Sequence, residues 1–362
     1  MNRERNMLVN TIGDSVIRPI CVIRDSRKAF AVAALGGGLI FTDVPASSLE
    51  VLHNSNIARV DADNQKKNPW RGKSPGRIDY SCFELTYADE FSGRRIDAAR
   101  GLGKAKYRTQ YYWGDGGINN ELQYYADPVT HGLGVLSVRE GKLHITAKKL
   151  SKPVASSAGK KYWYASGLIT TQGNFEQRYG LFEMRAKVPK GRGLWPAFWL
   201  LPSDAKKWRK RGYSRMPEID IMEQLGHDGK VWYATMHTKT PPYDGGRKKK
   251  GWRIYGSTVH MKEDLSKGFH TFSIDWQKDK LIWYIDGVPV KQEPTPQDFK
   301  EDKRYMLLNL AVGGNWPGSP DGRTRFPAHF IIDFVKVYKK KSVCGSSSGD
   351  APPNSPSLIK LD

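Results

Sequence analysis

Short runs of alternating or fully apolar residues, each closed by Gly, Pro or Asp, recur through the middle of the chain and limit what it can fold into. KLHITAKKL, YASGLITTQ, GLFEMRAKVP, WPAFWLLP, EIDIMEQL, VWYATMHTK, FHTFSIDWQ, KLIWYIDGVPV, YMLLNLAVG and FIIDFVKVY carry the two-residue period or the unbroken apolarity of strands. Few windows show the spacing of three and four that an amphipathic helix needs. The Asp286-Gly287 step between two apolar runs is a hairpin signal, because both residues accept positive φ. So many short strands in one block predict an all-β protein, an antiparallel two-sheet jelly-roll sandwich. With 39% hydrophobic and 11% aromatic residues there is enough material for its core.

The block spans residues 80–341. Before it, residues 1–46 read as a leader. Ala29–Phe41 is a 13-residue apolar run behind Arg24, Arg27 and Lys28, and Val44-Pro45-Ala46 supplies small residues for a cut after Ala46. Those are the parts of a secretory signal, although the basic flank is long; a buried strand or helix is the alternative, which three consecutive glycines do not favour. Residues 47–79 are polar and aperiodic and read as a linker, and residues 342–362, rich in Ser, Pro and Gly, as a flexible tail. No apolar run reaches the roughly 18 residues of a membrane-spanning helix.

The net charge is +21, of which residues 1–80 contribute +4 and residues 342–362 contribute −1. The remaining +18 therefore belongs to the strand-rich block. Such a charge points to a polyanionic partner: nucleic acid, an anionic membrane or an acidic polymer.

Pro217–Gly226 (PEIDIMEQLG) holds the most informative residues. In a strand, Glu218 and Asp220 share one face while Ile219 and Ile221 point to the other. Glu223 has the wrong parity to join them, and a β-bulge at Ile221-Met222 would restore it. Three carboxylates on one patch repel one another and push at least one pKa upward. Glycosidic bond cleavage uses that arrangement, one carboxylate attacking the anomeric carbon while a second, kept protonated, donates to the leaving oxygen. A calcium site would gather its acids from loops and add carbonyl ligands, whereas these sit on an apolar strand. A plain charged surface is the other alternative. Trp195 and Trp199 upstream, with His237 and Trp316 downstream, offer flat platforms for sugar rings as well as ordinary core packing.

PEIDIME preceded by GLWPAFWLLP and followed by MHTK, then by LNLAVGGNWPG and FIIDFVKVY, resembles glycoside hydrolase family 16, the bacterial laminarinase-like endo-β-glucanases. FELTYADEFSG and NNELQYYADP extend the resemblance over roughly residues 80–340. It implies a sandwich with a concave substrate groove and retaining endo-hydrolysis, with Glu218 as nucleophile, Asp220 as its assistant and Glu223 as general acid/base. Glu121, Gln123, Arg185, Trp195, Trp199, His237, Asn309 and Trp316 fall where similar enzymes line the groove. It implies no cofactor for the chemistry, and a structural calcium for which Glu90 and Asp333 are the matching acids. YYWGDGGINNELQYYADP, ASGLITTQGNF and KGRGLWPAFWLLP look most like depolymerases of succinoglycan-type exopolysaccharide, which are acidic polymers.

The leader points to an exported enzyme, secreted or periplasmic, and the expectation is a monomer acting on a polysaccharide that its charge suits if that polymer is anionic. Basic residues bracket the catalytic strand, with Lys206, Lys207, Arg209, Lys210 and Arg211 before it and Arg247, Lys248, Lys249, Lys250 and Arg253 after it. A neutral β-1,3 or mixed-linkage glucan is the rival substrate. A lectin on the same sandwich would keep the tryptophans without needing three acids. Nucleic acid is disfavoured, because carboxylates in the groove would repel phosphates. Of the three cysteines, Cys21 lies in the leader, leaving Cys82 and Cys344 at the two ends of the domain. First and last strands of such sandwiches often lie side by side, so the pair reads as a bridge in an oxidising compartment or as two buried thiols.

Overall fold

A computed structural model describes residues 75–342 and 344, apart from 115–116, 129–130 and 241–251, together with the backbone of four strands nearer the start. Those four, Asn6–Leu8, Ile20–Asp25, Lys28–Leu35 and Gly38–Asp43, form an antiparallel sheet in their own order, within a unit spanning Met1–Arg59. The apolar run expected to act as a secretory signal contributes to the last two of them. The second unit, Val60–Asp362, contains the strand-rich block.

That block is a sandwich of two sheets. The first, here the groove sheet, has eight strands in the order Arg253–His260, Val231–Thr238, Glu218–Glu223, Leu194–Pro202, Arg304–Val312, Leu168–Thr170, Tyr107–Arg108 and Ala98–Ala99. The back sheet has ten, running Val288–Pro294, Lys280–Ile285, His270–Trp276, Gly180–Lys187, Ala328–Lys340, Lys142–Ala155, Lys161–Ser166 and Gln123–Tyr125, with Phe83–Asp89 and Leu136–Arg139 paired off this path. Pairing is antiparallel as expected except at two short parallel contacts, Lys161–Ser166 with Gln123–Tyr125 and Ala98–Ala99 with Tyr107–Arg108.

Alternation along the strands explains how the sheets stick. Phe198, Leu200, Ile219, Ile221, Met306, Leu308 and Leu310 of the groove sheet pack in one cluster with Phe182, Met184, Phe272, Ile274, Trp283, Phe330 and Ile332 of the back sheet. Each such side chain contributes roughly 1.5–3 kcal/mol when fully buried. The residues of opposite parity, among them Trp195, Ala197, Trp199, Leu201, Tyr305 and Leu307, form two separate clusters on the other face of the groove sheet. That face carries the site. The Asp286-Gly287 hairpin forms as expected, with φ of 49° and 72° at the two residues.

Phe83–Asp89 and Ala328–Lys340 run antiparallel side by side, with Phe83 opposite Lys340. This adjacency brings the ends of the block together, and Cys82 and Cys344 form a disulfide across 262 positions. Closing so long a loop removes unfolded-state freedom, by about 2–4 kcal/mol for typical bridges. In a Cys21→Ser background, thiol titration in denaturant is expected to find no free thiol, and Cys82→Ser to lower the melting temperature; two titrating thiols would contradict the bridge.

Candidate active site

The expected bulge is present. On one side Phe198 pairs with Met222 and Trp199 with Asp220, which leaves Ile221 without an opposite number. On the other, Asp220 pairs with Thr235 and Glu223 with Tyr233, so two residues oppose Ala234 alone. Ile221 and Met222 both enter the core, and alternation resumes one residue late. Glu218, Asp220 and Glu223 therefore emerge on one face and line one cleft.

Groups around them fix their aim. Arg304, itself buried, donates from Nη1 to the carbonyl of Pro217 at 2.5 Å and holds the residue before Glu218. Trp195 Nε1 donates to Glu223 Oε1 at 3.1 Å. His237 Nε2 lies 3.1 Å from Asp220 Oδ2 and 3.7 Å from Glu218 Oε1. Since His237 pairs with Glu218 across the sheet, its ring is placed over the acids by register alone.

Burial is the main cause of the carboxyl shifts. It raises Glu218 to about 8, and the charge of Asp220 adds to this while His237 and Arg304 oppose it. Glu223 is pushed well above the usual range, by burial first, then by Asp220, with Glu218 also contributing and with His237 and the Trp195 N–H opposing. Both carboxyl groups are therefore biased toward holding a proton, and Asp220 beside them is a cause in each case. At His237 burial opposes the charge, but Asp220, Glu218 and Glu223 together outweigh it and lift the imidazole to about 9. The ligand-type atoms of Glu218, Asp220 and His237 lie within 4.8 Å of one another, close enough to clasp a cation. With the ring nitrogen 3.1 Å from Asp220 Oδ2, the same geometry also suits proton sharing within the cluster.

The expected groove residues divide. Glu121, Trp195, Trp199 and Asn309 line the cleft with the acids. Trp199 Nε1 donates to Asn309 Oδ1 at 2.8 Å, and Asn309 Nδ2 to the Tyr125 hydroxyl at 3.0 Å. Gln123 is fully buried beneath, donating to Glu121 Oε2 at 2.7 Å and accepting from the Val312 amide at 2.6 Å. Burial raises Glu121 to about 7 against those donors. Trp316 meets Trp195 and Tyr233 edge to face, with centroids 5.3 and 4.6 Å apart. Tyr111, Ile118 and Asn119 also line the cleft, and no pattern in the sequence singles them out. Only their place in the YYWGDGGINNELQYY stretch could have flagged them, because Tyr111 reaches the site through a loop.

Arg185 requires correction. It belongs to the back sheet, in Gly180–Lys187, where Phe182 and Met184 fill the core and Arg185 faces away from it. It pairs with Asp333 rather than lining the groove. Asp333 lies 4.0 Å from Lys142 as well, and Glu90 lies 2.7 Å from Lys336 Nζ, so each of the two expected calcium ligands has a basic neighbour. Among the basic residues before the catalytic strand, Lys207 is bound to Asp302 and Glu301, and Arg211 to Glu301. Arg209 lies over the Tyr112 ring at 5.5 Å. Of the basic residues after the strand, 247–250 fall outside the described residues.

The family described as Glycosyl hydrolases family 16 matches residues 125–335. The chain is 34% identical over 270 residues to the endo-1,3-1,4-beta-glycanase EglC of Rhizobium meliloti (strain 1021), which covers 72% of this chain and 53% of that protein. It is 30% identical to the beta-glucanase of Rhodothermus marinus, over 71% of this chain and 85% of that one. The laminarinase catalytic domain from Thermotoga maritima MSB8 superimposes with a TM-score of 0.58 at 35% identity, covering 72% of this chain and 99% of that one. The chain spans about half the length of the first of these relatives.

Because His237 lowers both glutamates, a His237→Asn variant is expected to move the carboxyl titration of the Glu218–Glu223 pair to higher pH, followed by carbon NMR of labelled glutamate. An unmoved or downward-shifted titration would contradict the charge assigned to His237.

Proposed function

The chain belongs to glycosyl hydrolase family 16, and on that premise we propose that it is a retaining endo-glycosidase cutting internal β-1,3 or β-1,4 linkages of a polysaccharide. The observation that carries this reading is the alignment of Glu218, Asp220 and Glu223 by one bulge, in surroundings that raise both glutamates above the usual carboxyl range.

In the first half-reaction the Glu218 carboxylate forms a bond to the anomeric carbon as the glycosidic bond breaks, and the Glu223 proton passes to the departing oxygen. In the second, Glu223 takes a proton from water, the water oxygen bonds to the anomeric carbon, and Glu218 is released. His237 stands beside Glu218 and Asp220 and offsets their charge through both halves. The N–H of Trp195 keeps Glu223 aimed at the departing oxygen. Trp195 and Trp199 line the cleft beside the acids, with Trp316 packed against Trp195, and these rings supply the apolar surfaces for the sugars on either side.

We further propose that the substrate is an acidic exopolysaccharide of the succinoglycan type and that the enzyme is exported. Two features support this: the +18 on the catalytic block, and Arg209 held over Tyr112, next to the cleft residue Tyr111. The Cys82–Cys344 bridge suits an oxidising compartment. A neutral glucan is the second reading, favoured by the engagement of Lys207 and Arg211 with Glu301 and Asp302, which removes part of the basic charge from the substrate's reach.

Glu218→Gln is expected to abolish hydrolysis of laminarin, lichenan and succinoglycan alike while leaving the melting temperature intact; retained activity would sink the assignment. Glu223→Ala is expected to lose polysaccharide cleavage but keep part of its rate on aryl glycosides with good leaving groups, where protonation matters less; equal loss on both would remove Glu223 from the acid's role. Added salt is expected to slow cleavage of succinoglycan more than that of lichenan, and an equal effect would favour the neutral polymer.

A further inference from the structure

Two side chains of the back sheet reach through the core to the backbone around the bulge, and the chemistry above uses neither. Trp283 and Lys291 are paired directly across adjacent strands at the sheet's edge. Trp283 is fully buried and Lys291 is 3% exposed. Trp283 Nε1 donates to the carbonyl of Asp220 at 2.9 Å, and Asp220 is the last residue before the bulge. Lys291 Nζ donates to the carbonyls of Ala234 at 2.9 Å and Tyr255 at 2.8 Å. Ala234 is the single residue that faces the bulge from the neighbouring strand. The ammonium also lies 4.6 Å from the centre of the Trp283 ring, so the two side chains brace each other.

A buried ammonium is costly, and methionine would fill the same space without that penalty. Burial lowers Lys291 to about 7, against the pull of Asp220. What a methionine could not do is donate hydrogen bonds to the carbonyl of Ala234, on the strand that faces the bulge, and to that of Tyr255 on the strand beyond it. A strand with one extra residue has a competing register, the regular one, in which Glu223 would return to core parity. We propose that Trp283 and Lys291 form a positioning strut that holds the bulge in place and thereby sets the aim of Glu223 relative to Glu218. The strut rests on the reading of these two glutamates as the reacting pair.

The test uses the full chain with Trp283→Phe, which keeps the ring and removes the N–H, and Lys291→Met, which keeps the apolar stem. On laminarin each is expected to lower kcat by about 10- to 100-fold with KM within about twofold, the size of effect that small misplacements of reacting groups produce. The double variant is expected to lose little more than the worse single variant, since both act on one bulge. The indole N–H resonance of Trp195, which reports its bond to Glu223, is expected to shift in both, measured well below the melting temperature. A fall in melting temperature with unchanged kcat and an unmoved Trp195 resonance would overturn the strut, as would losses that multiply. Should Lys291→Met not fold, the kcat and the Trp195 resonance of Trp283→Phe decide between the same two outcomes. If the unmodified protein cuts neither laminarin, lichenan nor succinoglycan, the hydrolase reading fails, while the Trp195 resonance still decides whether the strut exists.

Discussion

The site depends on one residue too many in one strand. Between Asp220 and Glu223 the ladder skips a step on both sides, and the two core-facing residues Ile221 and Met222 follow each other directly. A regular strand would have sent Glu223 into an apolar core, where a carboxyl group without partners costs several kcal/mol. The bulge converts an impossible position into a reactive one, and everything else in the cleft is arranged around the two glutamates it aligns. The sandwich supplies the rigid frame, because a bulge in the middle of a sheet covered on its core face by Phe272, Ile274 and Trp283 cannot slide without disturbing that packing.

Gathering three acids has an electrostatic consequence that the fold must also meet. Burial raises Glu218 and Glu223 together, and the charge of Asp220 raises both further. His237 works against this. Its ring lies 3.7 Å from Glu218 Oε1 and 3.1 Å from Asp220 Oδ2, and its charge favours ionisation of both glutamates. In the proposed mechanism these two identical side chains take opposite roles, a division that differing surroundings set where one site holds an acid and a nucleophile at one pH.

Much of this was legible in the chain. The two-residue periods of segments such as GLFEMRAKVP and FIIDFVKVY marked the strands, the parity of Glu223 required the bulge, and the end positions of Cys82 and Cys344 allowed their bridge. The rest was hidden for physical reasons. The parity of Arg185 within its strand says that it leaves the core but not which sheet the strand joins, and the topology puts it on the back sheet opposite Asp333. Tyr111 and Asn119 reach the cleft by loops that have no period. Lys291 reads as a solvent-facing residue in VPVKQEP, and its burial is visible only once Trp283 and the carbonyls of Ala234 and Tyr255 surround it.

The central claim is that Glu218 attacks from one side of the sugar ring while Glu223 serves the departing oxygen and then the water. Two successive displacements at one carbon return its original configuration. Proton NMR of freshly cleaved laminarin, recorded before mutarotation, measures this directly. The account predicts that new reducing ends appear first as the β anomer; first appearance as the α anomer would mean a single displacement and would contradict it.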